Sequence, residues 1–133
     1  MIVIEISISI RLAKVWEVWN NPNDINQWYS GHKDWHTYES NNQLKIGESF
    51  IYSLMSNDKK ASFNFKGIYT EIDKHKKISF LMEDNRKVET FFLEIENKVI
   101  ITQKIEVENQ NSTKTQALWW KTILCNFKKH TEY

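Results

Sequence analysis

The feature that most constrains this chain is a hydrophobic period that changes along its length. Residues 2–10, IVIEISISI, put Ile2, Ile4, Ile6, Ile8 and Ile10 on one face and Glu5, Ser7 and Ser9 on the other. That period of two is the signature of a half-buried strand. From Leu12 the spacing becomes three and four, so Leu12, Val15, Trp16 and Trp19 line one side of a short helix. Period two returns in short runs from about residue 48 to residue 107. It then gives way, over 112–130, to a long helical stripe through Thr113, Ala117, Trp120, Ile123, Leu124 and Phe127. Ser112 is placed to cap that helix, and Lys121, Thr122, Lys128 and Lys129 face away from the stripe. A sheet built from such runs has one apolar face to cover, and the terminal helix must cover it. The fold class is α+β.

The segments between supply the connections. Asn20-Asn21-Pro22 breaks the first helix, and Pro22 suits the start of a second whose buried side holds Ile25 and Trp28. Residues 29–43 carry aromatics without a clean period and read as loop, with a short strand around Trp35. Beyond them Phe50, Tyr52 and Leu54 share a strand face, as do Phe63, Phe65 and Tyr69. The later runs are Ile78, Phe80 and Met82, then Val88, Thr90 and Phe92, then Val99, Ile101, Gln103, Ile105 and Val107. Turns rich in Asn, Asp and Lys join them into an antiparallel meander. With three glycines and one proline in 133 residues, Asn and Asp must carry much of the turn chemistry. Gly67, inside a strand run, marks a bulge or a close backbone approach.

Several function classes lose their footing here. Eighteen basic and 17 acidic side chains leave a net charge of +1, not the basic excess that a polyanion attracts. The local cluster Lys74, His75, Lys76 and Lys77 falls in a turn, where charge is solvated, and the aromatics lie under the terminal helix; nucleic acid is not expected. A single cysteine, Cys125, excludes an internal disulfide and has no assigned base to activate it. Of four histidines, His32 and His36 stand four apart, but in a loop and without a carboxylate at ligand spacing. No metal and no cofactor are expected. Gly31, Gly47 and Gly67 are isolated, so no phosphate loop is present. No apolar run approaches the roughly 18 residues of a membrane span, and the N-terminus lacks a signal-peptide pattern. The expectation is a soluble, cytoplasmic protein, one domain over residues 1–133.

What stands out is the aromatic share, 14%: six Trp, five Tyr and seven Phe. On the parity above, Trp19 and Trp28 from the short helices join Tyr52, Leu54, Phe63, Phe65, Phe80 and Phe92 from the strands. Trp120, Leu124 and Phe127 come from the long helix, and all project between sheet and helix. Such a set builds either a thick core or an aromatic-walled cavity. Residue spacing does not choose between them.

The order of local motifs resembles the helix-grip superfamily, which includes START lipid-transfer domains, the birch-pollen allergen and polyketide cyclases. KVWEVWNNPNDINQWY is similar to its opening helix pair. Within the SRPBCC grouping the resemblance is to bacterial homologues of the activator of the heat-shock-protein ATPase, the AHSA-like family. It rests on Asp34, Trp35 and His36; on Leu44, Gly47, Phe50 and Tyr52; on Phe63, Phe65, Gly67 and Tyr69; and on Asp84, Arg86 and Val88. The last match comprises Trp120, Ile123, Leu124, Asn126, Phe127 and Lys128. The departures from the family pattern are Glu48, Leu54, Met55, Lys59, Asn64, Asn85 and Trp119. Met55 and Asn64 remove carboxylates, and Trp119 puts a large ring where the family has glycine.

The resemblance implies a curved antiparallel sheet round a long terminal helix, with an internal apolar cavity. It does not imply a chaperone partner, because the short bacterial members lack the domain with which the eukaryotic activator engages its chaperone. The resulting expectation is a non-enzymatic binder of a small hydrophobic or aromatic molecule, monomeric or weakly dimeric. The ligand would touch Trp19, Trp28, Trp35, Tyr52, Leu54, Phe63, Phe65, Phe80, Phe92, Trp120, Leu124 and Phe127, entering between the long helix and the segment 28–38. Two alternatives are a polyketide-cyclase-like enzyme and a stress-related protein-interaction module. For the enzyme, His36, Tyr52 and Glu48 are the proton-transfer candidates, with Arg86 positioning an anionic group.

Overall fold

The computed structural model describes residues 1–132. In chain order the elements are β1 (Ile2–Ile8), α1 (Leu12–Asn20), α2 (Pro22–Trp28), β2 (Trp35–Asn42), β3 (Ser49–Ser56), β4 (Ser62–Asp73), β5 (Lys77–Met82), β6 (Lys87–Ile95), β7 (Lys98–Ile105) and α3 (Thr113–Glu132). The strands form one antiparallel sheet in the order β1-β7-β6-β5-β4-β3-β2. Each strand from β2 to β7 pairs with its chain neighbour, and β1 closes onto β7, so β1 and β2 are the edges. The sheet curves as a half-barrel round α3. This is the α+β architecture that the period changes imply, in the helix-grip form that the resemblance implies.

Alternation sets which side chains face the helix. Val99, Ile101, Gln103 and Ile105 of β7, and Val88, Thr90 and Phe92 of β6, are all buried. α3 answers with Trp120, Ile123, Leu124 and Phe127. Ser112 caps it, its Oγ accepting from the Thr115 N–H at 3.1 Å. Three links fix the helix laterally. Asn126 Nδ2 donates to the Ser30 carbonyl at 2.9 Å. His130 Nε2 lies 2.9 Å from Asp24 Oδ1. The Ser9 N–H donates to Glu132 Oε2 at 2.8 Å. Pro22 opens α2 and Asn21 caps it, accepting from the Asn23 N–H.

Five details refine or correct the sequence reading. The segment read as loop contains β2, an eight-residue strand. Only Thr37 of that edge strand is fully buried, and its register slips between Thr37 and Glu39, which erases the period. Gly67 is not the bulge of β4, which lies between Tyr69 and Glu71. Gly67 is a close approach instead: a Cβ there would stand 2.4 Å from Phe50 Cε2. In α1, Val18 is buried while Leu12 and Trp19 are half-buried. On α3, Gln116 is buried where the stripe begins and Thr113 is exposed. Turn positions with positive φ are held by Asn85 as composition suggests, but also by Lys59, His75 and Glu96.

Candidate functional site

The concave side of the sheet is almost filled by rings meeting edge to face. Phe127 receives Trp19 and Trp28 at centroid distances of 4.9 and 4.8 Å. Tyr29 meets Tyr52 at 4.9 Å, and Phe50 meets Phe80 at 4.9 Å. What remains is a narrow void of about 30 Å³. Trp19, Trp28, Tyr29, Phe50, Tyr52, Phe65, Phe80 and Trp120 line it, with Thr90 and Gln103 among them. That volume suits a water molecule, not a ring-containing ligand. Leu54, Leu124 and Phe127 do not line this void and are fully buried. Phe92 is likewise packed away, against Trp16 at 5.2 Å and Trp19 at 5.6 Å.

A second, open space of about 430 Å³ lies at one end of the grip. Its apolar walls are Trp35, Phe63, Phe65, Met82, Trp119 and Trp120; its polar rim is Arg86, Glu108, Asn111, Thr115 and Gln116. Phe65 and Trp120, 5.8 Å apart between centroids, belong to both spaces and form the partition between void and cleft. Phe63 is 39% exposed, so it stands at the cleft mouth rather than in the interior. It packs on Trp35 at 5.1 Å and on Trp119 at 6.0 Å. The expected ligand residues therefore divide among void, cleft and packed core, and Trp35 belongs to the cleft.

Between α3 and residues 28–38 the packing is tight at Gly31, while open space of about 270 Å³ lined by Tyr29, Ser30, Trp35, His36 and Asn126 remains along the same seam. A Cβ at Gly31 would lie 1.9 Å from Trp119 Cδ2, so the indole covers the Gly31 backbone. Asn126 holds Ser30 beside it. The ring that replaces the family glycine thus fills the space over Gly31, and the cleft opens beside it between Trp35 and Trp119.

The polar rim is braced from within the chain. Gln116 Oε1 accepts from the Glu108 N–H at 3.0 Å, and its Nε2 donates to the carbonyls of Glu108 and Asn111. Arg86 Nε donates to Asp84 Oδ2 at 2.7 Å, and an Nη lies 3.9 Å from Glu108 Oε2. Burial works against the Asp84 carboxylate, but the hydrogen bonds and charge of Arg86 prevail and hold its pKa below the usual value. Two buried polar atoms of residues that line the void lack a partner: the Tyr29 hydroxyl and Gln103 Oε1. Neither residue was among the sequence candidates. Gln103 looked like one more strand residue, and only its burial beside Thr90 marks it.

The proton-transfer candidates do not converge. His36 lies on the surface, its Nδ1 2.8 Å from Asn57 Oδ1. Glu48 is exposed just before β3. Tyr52 is buried, and burial first, then the neighbouring Tyr69 and Tyr29, push its phenol well above the ordinary range. Burial does the same to Tyr29. Both stay protonated near neutral pH and so do not serve as bases. Among the described residues, no group of three or more His, Cys, Asp and Glu is placed to hold a metal ion. No described helix is long and apolar enough to cross a membrane.

Comparison with known proteins gives a consistent assignment. The AHSA1-like protein of Aeromonas hydrophila is 30% identical, superposes with a TM-score of 0.90, and covers 98% of this chain and 92% of its own. A solution structure from Cytophaga hutchinsonii, also 30% identical, gives 0.85 over 98% of this chain and 91% of its own. A crystal structure from Chromobacterium violaceum shares the fold, with 13% identity, a TM-score of 0.82 and coverage of 99% and 96%. No curated protein matches the chain in sequence. The family model described as activator of Hsp90 ATPase homolog 1-like protein matches residues 9–130, and the chain belongs to that family.

Proposed function

We propose that this protein, working as one domain, binds a small hydrophobic ring compound in the cleft floored by Phe65 and Trp120. The observation that carries the reading is the contrast in size: about 430 Å³ in the cleft against about 30 Å³ in the void. The larger value lies within the roughly 300–1,000 Å³ typical of small-molecule sites, and its lining is apolar with a few polar groups at the rim. Burial of 200 Å² of apolar ligand surface contributes about 5 kcal/mol gross before association costs, at about 25 cal/mol per Å². Micromolar affinity, about 8 kcal/mol, therefore needs either a larger contact or a hydrogen bond.

The test is a titration of fatty acids, flavonoids and polyketide-like aromatics, followed by amide chemical shifts. Saturable shifts centred on Trp35, Phe65, Trp119 and Trp120 are expected. The absence of saturable binding across the panel would refute the reading.

A second reading concerns self-association. The outer face of the sheet presents Leu93, 57% exposed, and Ile95, 44% exposed, with Val3 on β1 at 61%. A weak homodimer through this face would add to ligand binding without replacing it. Sedimentation equilibrium of the Leu93→Glu variant beside the parent checks it, with loss of any concentration-dependent dimer expected.

A further inference from the structure

The rim of the cleft is uneven in what it offers a ligand. Arg86 is the cation among the residues that line it, and a guanidinium carries several N–H donors and no acceptor. The Met82 N–H donates to the Arg86 carbonyl at 2.9 Å, which seats Arg86 beside an apolar wall residue. Its side chain is 21% exposed, so the group is open to an incoming molecule. Only Nε is committed, donating to Asp84 Oδ2 at 2.7 Å. Among the described residues neither Nη makes a hydrogen bond, and Glu108 Oε2 stops 3.9 Å from Nη2. Other acceptors on the rim are already engaged. Glu108 Oε1 accepts from the backbone and side-chain nitrogens of Asn111. Gln116 Oε1 accepts from the Glu108 N–H at 3.0 Å. Trp35, Trp119 and Trp120 stand on the walls, and an indole also donates without accepting. The cleft thus sets a cation with donors to spare beside apolar rings.

We infer that the cleft takes a ring compound bearing a carboxylate, its rings against the aromatic walls and its carboxylate on the Nη groups of Arg86, so that the site selects the acid anion over a neutral or cationic form of the same skeleton. This rests on the cleft-binding reading and names its ligand class. An ionised carboxylate accepts and does not donate, and the planar fork of a guanidinium matches its pair of oxygens. The same bond adds the polar contact that burial of a small ring needs to reach micromolar affinity. Asp84 fixes the guanidinium through Nε but is itself 53% exposed and does not line the cleft. Its charge and that of Glu108 weaken the field of Arg86, and solvent at the open rim screens it further. The selection is therefore moderate in size.

The experiment compares 2-naphthoate, its methyl ester and 2-naphthylmethylamine, which is protonated at neutral pH, by calorimetric titration of the intact protein. Amide shifts locate each probe. The naphthoate is expected to bind about tenfold tighter than the ester, the worth of a charge-assisted hydrogen bond at a partly exposed site. The ammonium should bind most weakly. Raising the salt should narrow the gap between naphthoate and ester. In Arg86→Gln the naphthoate should fall to the level of the ester. Arg86→Lys keeps the charge without the fork and should keep part of the preference. Lys121→Gln, an exposed change on the far side of α3, should leave the preference as it is. Urea melts show which variants are folded, and the ranking of the three probes on the parent protein needs no variant. Equal affinities for naphthoate and ester, tightest binding of the ammonium, or an undiminished preference in Arg86→Gln would overturn the inference and leave the cleft reading standing. Failure of all three probes to bind, or shifts confined to residues outside the cleft, would overturn both.

Discussion

A Cβ on Gly31 would stand 1.9 Å from Trp119 Cδ2 and 2.4 Å from Cε2, so the small residue and the large one are a fitted pair. Gly31→Ala is therefore expected to destabilise by about 1–3 kcal/mol, the usual cost of overpacking. In a Trp119→Gly background the same change should cost much less, because the ring that it strikes is gone. Denaturant melts of the four proteins give the coupling directly, and additive costs would mean that the indole does not bear on Gly31. Trp119 could be recognised in sequence as a ring too large to be neutral where the family has glycine. Its partner could not, because contact between distant segments leaves no mark in local period. Gln103 shows the same limit. Its place in the β7 alternation was legible, but its half-satisfied amide depends on what β6 sets beside it.

The long helix α3 was legible because one stripe persists through it, and its face supports a direct contrast. Leu124, fully buried, should lose about 2–5 kcal/mol on truncation to alanine. Lys121, exposed on the opposite side, should stay within about 0.5 kcal/mol. Equal losses in urea melts would show that the helix presents a different face to the sheet. The strand β2 was legible only as a hint around Trp35. An edge strand has one neighbour, here β3, and little buried surface to impose alternation. The slip between Thr37 and Glu39 then moves the later side chains out of phase. That strand carries Trp35 to the cleft, so the least periodic element contributes one of its walls.

At the scale of the whole molecule, side-chain direction was readable and leftover volume was not. Eleven of the twelve expected ligand residues come from inward parity or a helical stripe, yet parity does not say whether facing rings meet. Here they do, and the concavity narrows to about 30 Å³, while an open cleft lies beyond Phe65 and Trp120. Stability and binding should therefore separate by position. Leu54→Ala removes a fully buried side chain that borders neither space, and about 2–5 kcal/mol of lost stability is expected. Phe65→Ala removes the partition. Since Phe65 is only partly buried, its loss should be smaller, about 1–3 kcal/mol. It should also join void to cleft and admit bulkier rings. A bound ligand at a hundred times its Kd adds about 2.7 kcal/mol to folding stability. A ring compound too large for the parent should thus raise the melting temperature of Phe65→Ala and leave that of Leu54→Ala unchanged. Thermal melts with and without such a compound check this, and equal shifts in the two variants would show that Phe65 does not separate the two spaces.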